Sequence, residues 1–140
     1  MNYWLFKSEP ESWSWRQQKA KGAAGQEWDG VRNYQARNFM RAMKVGDRGF
    51  FYHSNKERAV VGVVEVAAAA HPDSTDPTGT WDCVDIVAVA EMPNPVTLDM
   101  VKAEPELAGM VLAKNSRLSV QPVAEAEWRK VCRMGGLEKA

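Results

Sequence analysis

Histidine and cysteine are scarce in this 140-residue chain, which carries only His53, His71, Cys83 and Cys132. None of them stands at a metal-ligand or redox spacing. His71 sits beside Pro72, away in sequence from both cysteines, so a zinc site would have to be built mostly of carboxylates and no metal is expected. The cysteines read as reduced, semi-buried thiols and not as a disulfide. Long apolar runs are missing too: none approaches the ~20 residues that cross a bilayer. The start "MNYWLFKSEP" lacks the basic opening and long apolar core of a signal peptide, and reads as the first strand of a cytoplasmic protein with no membrane contact. A P-loop and the patterns G-x-S-x-G, H-E-x-x-H and G-x-G-x-x-G are absent. His53 and Ser54 are strand neighbours that point to opposite faces, so they make no dyad. "DSTDPTGTWD" has the look of a calcium loop, but Thr75 and Pro77 occupy positions that want carboxylate or amide oxygens. Neither catalysis nor a cofactor is expected.

Net charge is also missing, since 18 Lys and Arg balance 18 Asp and Glu. Taken whole, that argues against a polyanionic partner. The distribution argues the other way. Arg32, Arg37, Arg41, Lys44, Arg48, Lys56 and Arg58 fall in one stretch, opposed only by Asp47 and Glu57. From Glu65 to Glu106 the acids Glu65, Asp73, Asp76, Asp82, Asp85, Glu91, Asp99, Glu104 and Glu106 face Lys102 alone among lysines and arginines. Such a pattern either presents a basic face to a polyanion or is a solvated surface whose local excesses cancel.

The length suits one domain, residues 1–140, with a core that needs no staples. "NYWLF" reads as a strand that ends at Ser8-Glu9-Pro10, followed by a helix in "ESWSWRQQKAKG". "GAAGQEWDG" is a glycine-rich loop with a tryptophan in an unusual place. Asn33 is a candidate N-cap for a helix over Tyr34–Met43. On it Ala36, Phe39, Met40 and Met43 form an apolar face, while Arg37, Arg41 and Lys44 form a separate basic stripe. "RGFFYHS", "AVVGVVEVAAAA" and "TWDCVDIVAVAEM" have strand composition, and the last two, apolar on both faces, suit central strands of a closed or covered sheet. "HPDSTDPTG" connects them as a turn-rich loop. A short helix with Thr97 as N-cap, a strand in "RLSVQPV" and a closing helix in "AEAEWRKVCRM" stopped by Gly135-Gly136 complete the chain. The order points to an α+β domain with a mostly antiparallel, barrel-like sheet surrounded by helices.

"WDGVRNYQARNFM" is the stretch that does not read as filler. A loop tryptophan offers a π-face on which a nucleobase stacks for roughly 1–3 kcal/mol. Trp28 serves that role, or else it plugs one end of the sheet and seals the core. Ser8, Asn33, His53, Ser54 and Ser119 are candidates for hydrogen bonds to a base edge. The stripe of Arg37, Arg41 and Lys44 is the candidate grip on flanking phosphates, blind to sequence and sensitive to salt. Asp85 shares a strand face with Trp81, Cys83, Val87 and Val89, where a carboxylate is costly unless an arginine or backbone amides satisfy it.

Together, "YWLFKSEP", "WDGVRNYQARNFM", "FFYHS", "GVVEV", "WDCVDI", "PVTL" and "RLSVQPV" resemble the EVE domain family, in order from about Tyr3 to Trp128. The resemblance implies a PUA-like fold, related to the YTH readers of methylated adenine in RNA. It also implies a non-enzymatic reader of a modified base, modified cytosine in DNA or a modified RNA, that inserts the base into an aromatic pocket. Carried over motif by motif, that pocket draws on Lys7 and Ser8 from "FKSEP", and on Trp28, Gly30, Val31, Arg32 and Asn33 from "WDGVRN". His53 and Ser54 from "FYHS" and Leu118 and Ser119 from "RLSV" complete it. Trp28 would stack, Ser8 and Asn33 would address the base edge, and Leu118 or Val31 would contact the modification. The His71–Thr80 connection departs from the family by being short and lacking an aromatic, lysine-containing insertion, which puts affinity and strand preference in question. Two other readings compete. One is a nucleotide- or RNA-processing enzyme that uses His53 and Glu9 as acid and base, and the other is a protein-binding domain that uses the acidic stretch between Glu65 and Glu106.

Overall fold

The computed structural model describes residues 1–115 and 117–137. Within them six strands form one sheet: β1 (Tyr3–Ser8), β2 (Gln26–Glu27), β3 (Arg48–His53), β4 (Ala59–Pro72), β5 (Asp82–Thr97) and β6 (Val120–Val123). Their order is β2-β5-β4-β3-β1-β6, with β1 parallel to β3 and every other pairing antiparallel. The α-helices among the described residues are α1 (Trp15–Ala20), α2 (Tyr34–Ala42), α3 (Leu98–Ala103), α4 (Val111–Lys114) and α5 (Glu125–Met134). The chain is thus mixed α+β, but the barrel expected from sequence is not closed by this ladder. β2 is two residues long and β6 four, and these short strands end the order without pairing to each other.

Strand alternation explains why the sheet is covered on both sides. β1 sends Trp4 and Phe6 into one apolar cluster and Leu5 into the other, and β3 does the same with Phe51 against Phe50 and Tyr52. β4 contributes Val64 and Val66 to the first cluster and Val60 and Val63 to the second, and its irregularity between Val60 and Gly62 is what lets Val60 and Val63, three residues apart, face the same side. Helix α2 covers the first side with Ala36 and Met40, joined by Met43, while α3 and α5 cover the second with Leu98, Val101, Trp128 and Val131. The close approach of α1 needs Gly62, where a Cβ would come within 2.4 Å of the Trp15 ring. Ser14, Asn33 and Thr97 cap α1, α2 and α3, each accepting a backbone N–H. No helix among the described residues is long and apolar enough to cross a membrane.

The charge blocks of the sequence do not form two faces. Arg32 pairs with Asp73, Arg41 with Asp82 and Arg48 with Glu65, so the basic stretch is folded against the acidic one.

Candidate nucleic-acid interface

Where β1 ends, the chain turns outward beside the loop that follows β2, and a cleft of about 400 Å³ opens between them. That volume falls in the ~300–1,000 Å³ range of small-ligand sites. Lys7, Ser8, Glu9, Ser12 and Trp13 form one wall, Gln26 through Arg32 form the other, and Ser119 closes the end. The first wall is anchored by backbone: Lys7 N–H donates to Ser119 C=O (2.9 Å), and Ser8 C=O accepts from Ser54 N–H (2.9 Å) and Ser54 Oγ (3.2 Å). Trp28 forms the inner limit of the second wall. Its N–H donates to Val84 C=O (2.8 Å), and its ring meets Phe6 and Phe51 edge-on at 5.4 and 5.6 Å.

The rim of the second wall hangs on one carboxylate. Asp73 has a fully buried side chain, and its Oδ2 accepts from Gly30 N–H (2.9 Å) and Arg32 Nη1 (3.1 Å). Its Oδ1 accepts from Thr75 N–H (2.8 Å) and Thr75 Oγ1 (2.6 Å). Arg32 Nη2 reaches Thr75 Oγ1 as well (3.1 Å). Gly30 takes φ +77°, a conformation that strains any residue with a Cβ. Burial opposes the charge of Asp73, but these donors together hold its pKa below the ordinary value.

The cleft has mixed charge. Burial pushes the Lys7 ammonium down. Asp29 is pushed up, first by desolvation and then by the nearby Asp73 and Glu27 carboxylates. Glu27 is held low, first by Ser74 N–H donating to its Oε1 (2.7 Å). A ligand therefore meets a cation, carboxylates able to accept hydrogen bonds and an aromatic wall.

The EVE domain family model matches residues 2–134. The chain belongs to that family. A crystal structure of an Agrobacterium tumefaciens protein is 64% identical, covers 100% of this chain and 97% of its own, and superposes with a TM-score of 0.98. Human THYN1, solved in complex with DNA containing 5-methylcytosine, is 36% identical over 99% of this chain and 100% of its own, with a TM-score of 0.91. A Zygosaccharomyces rouxii YTH domain, 13% identical over 99% of this chain and 89% of its own at a TM-score of 0.60, shares the fold.

Against this EVE domain's cleft, the residues singled out from sequence divide in two. Lys7, Ser8, Trp28, Gly30, Val31, Arg32 and Ser119 line it. Ser8 Oγ is already committed as a donor to Trp13 C=O, and Trp28 is 7% exposed, sealing the core while it borders the cleft. Four others do not line it. Asn33 spends its side chain on Ala36 N–H as the α2 cap (2.9 Å), and Leu118 is core. His53 is buried, its Nε2 accepting from Trp15 N–H (2.9 Å) and its Nδ1 lying 3.3 Å from Glu57. Ser54 acts behind the wall, through Ser8. The phosphate stripe is also partly engaged: Arg41 Nε donates to Asp82 (2.7 Å) and Arg37 Nη1 to Thr80 C=O (3.0 Å), while Lys44 is exposed. Ser12, Trp13, Gln26, Glu27 and Asp29 line the cleft without having been singled out, and so does Glu9, which the sequence suggested only for the enzyme reading. Only Glu27 and Asp29 gave a signal, as acids flanking a loop tryptophan.

His71 lies on β4 and not in a loop, paired across the sheet with Cys83. Its Nε2 sits 2.8 Å from Asp85, so the partner of Asp85 is a histidine and not the arginine or amides expected. Cys83 donates to Glu27 Oε1 (3.3 Å), and ligand atoms of Glu27, His71 and Cys83 all fall within 4.8 Å of one another. A metal there needs the thiolate. Burial, then the bond to Glu27, pushes the thiol strongly up, which favours a hydrogen-bonded cluster.

Proposed function

We propose that this chain binds nucleic acid bearing a modified cytosine and takes the base, turned out of its stack, into the cleft between Lys7–Trp13 and Gln26–Arg32. The observation that carries this reading is the cleft itself. It has the size of a base site, an aromatic inner wall, and hydrogen-bond acceptors placed beside cations. The similarity of the whole chain to a relative solved with 5-methylcytosine DNA supports the choice of base.

The chemistry allots roles as follows. Trp28 and Val31 give the apolar surface against which the ring and its modification rest. Glu27 and Asp29 accept from the cytosine N4 amino group, the pairing that carboxylates make with this base. Both protein bonds to Glu27 fall on Oε1, so Oε2 is the acceptor for the ligand. Lys7 and Arg32 take the adjoining phosphates, a sequence-blind contribution. Extruding the base costs a few kcal/mol. One aromatic contact roughly offsets that, and the phosphate contacts supply the rest. The enzyme alternative gains no support from the geometry: Glu9 lines the cleft but His53 does not, and an acid and base that share a reaction must face the same ligand.

The test is fluorescence anisotropy with single- and double-stranded DNA and RNA carrying cytosine, 5-methylcytosine, 5-hydroxymethylcytosine or N6-methyladenine. Preference for a modified cytosine that weakens in Glu27→Gln supports the reading. Salt-sensitive binding that is blind to modification and unchanged in Glu27→Gln sinks it.

A further inference from the structure

Tyr34 is 61% exposed at the first turn of α2, outside both apolar clusters, and yet a set of groups is organised around it. The Trp81 ring lies 4.8 Å away at 32°, and the Arg37 guanidinium sits 4.8 Å from the Tyr34 centroid and 5.6 Å from that of Trp81. Each part is held. Arg37 Nη1 donates to Thr80 C=O (3.0 Å), Trp81 N–H donates to Asp76 Oδ2 (2.8 Å), and Trp81 C=O accepts from Asp73 N–H (3.0 Å). Asn33 caps the helix directly before Tyr34. Arg32 then joins this ledge to the cleft, since it lines the cleft and lies 5.7 Å over Trp81.

We propose that Tyr34, backed by Arg37 and Trp81, is a second nucleotide subsite that stacks the base next to the one held in the cleft. The inference rests on the proposed base-binding function and assigns a further contact on the same strand. An exposed tyrosine by itself would mean nothing. Here the aromatic surface is preorganised, so little order remains to be imposed on binding, and it is charged with the sign that suits a phosphodiester. Its continuity with the cleft through Arg32 names the occupant as the adjoining nucleotide of the bound strand. Stacking on an aromatic ring tolerates any base, so the subsite adds affinity and reads no sequence.

The experiment compares wild type, Tyr34→Ala and Tyr34→Phe by calorimetry on two ligands. One is 5-methyl-2′-deoxycytidine monophosphate, and the other is a single-stranded hexadeoxynucleotide with one internal 5-methylcytosine. Thermal unfolding checks that the variants are folded. Tyr34→Ala is expected to weaken the hexanucleotide roughly tenfold while leaving the mononucleotide within about twofold, and Tyr34→Phe to stay near wild type. The preference for methylated over unmethylated hexanucleotide should persist in Tyr34→Ala. An unchanged hexanucleotide affinity, or an equal loss on both ligands, overturns the subsite. Should wild type show no methyl preference while Tyr34→Ala still loses the hexanucleotide, the ledge stands and the reading of the cleft falls. No binding of either ligand by wild type removes both.

Discussion

Asp73→Ala is the most informative single substitution, because this residue touches the rim of the cleft without lining it. The alanine removes four accepted hydrogen bonds and leaves the N–H groups of Gly30 and Thr75 and the Arg32 guanidinium without this partner. Water can reach Arg32, whose side chain is 40% exposed, so its ion pair contributes under about 1 kcal/mol. The backbone donors to a buried carboxylate are worth more, about 1.5 kcal/mol each, and the sum is a loss of about 3 kcal/mol. For a domain of this size that lowers Tm by about 10 °C. Asp73→Asn separates the two halves. Its single carbonyl oxygen can serve Thr75 or the Gly30–Arg32 pair, while the amide opposes donors on the other side, so about half the loss is expected. Urea melts at pH 7 measure this, and anisotropy on a 5-methylcytosine oligonucleotide should show roughly tenfold weaker binding in Asp73→Ala as the rim loosens. The acid limb supplies a sign. The depressed pKa of Asp73 means its stabilisation is present above the unfolded value of ~3.9 and is lost as pH falls through the folded one. The gap between wild type and Asp73→Asn must therefore close below about pH 4. A loss under about 0.5 kcal/mol at pH 7, or a gap that widens on acidification, refutes the account.

Methylated cytosine should bind roughly 10–200-fold better than unmethylated if apolar fit decides, and a larger ratio in competition anisotropy would mean that polar groups read the modification. The raised pKa of His71, caused first by its bond to Asp85, gives stability that is present below the unfolded value of ~6.5 and lost as pH rises through the folded one. Both partners are about a third exposed, so the effect stays under about 1 kcal/mol, and Asp85→Asn should flatten it in melts from pH 5 to 9. Gly62→Ala drives a methyl group into the Trp15 ring and should cost about 1–3 kcal/mol in urea melts, with Trp15→Leu relieving part of it. Arg41→Gln removes a cation already paired with Asp82 and should leave oligonucleotide affinity unchanged, whereas Lys7→Gln should weaken it and lower its salt dependence by about one phosphate contact.

Local rules carried the sequence reading where neighbours in the chain decide the outcome. Asn33 and Thr97 start their helices and Gly135 stops its own as expected, because a cap needs only a side chain or a small residue within reach of its own turn. The two-faced apolar runs of β4 and β5 announced a covered sheet for the same reason. β2 was hidden, since two residues in a glycine-rich loop have no periodicity and become a strand only by pairing with β5.

Half of the candidate site was legible through motifs that keep Lys7, Ser8 and the Trp28–Arg32 run together in sequence. What each side chain does there was not legible. Asn33 and His53 have the right chemistry for a base edge, but the helix cap and the N–H of Trp15 claim them first. By itself, then, the sequence determined the apolar pattern, the caps and the loop that lines the cleft. Only tertiary structure decided that the basic and acidic stretches pair with each other, that His71 meets Asp85, and that Asp73 holds Gly30 and Arg32 from 43 and 41 residues away. Those contacts depend on strand register and burial, which join residues according to where the chain returns and not according to what precedes them.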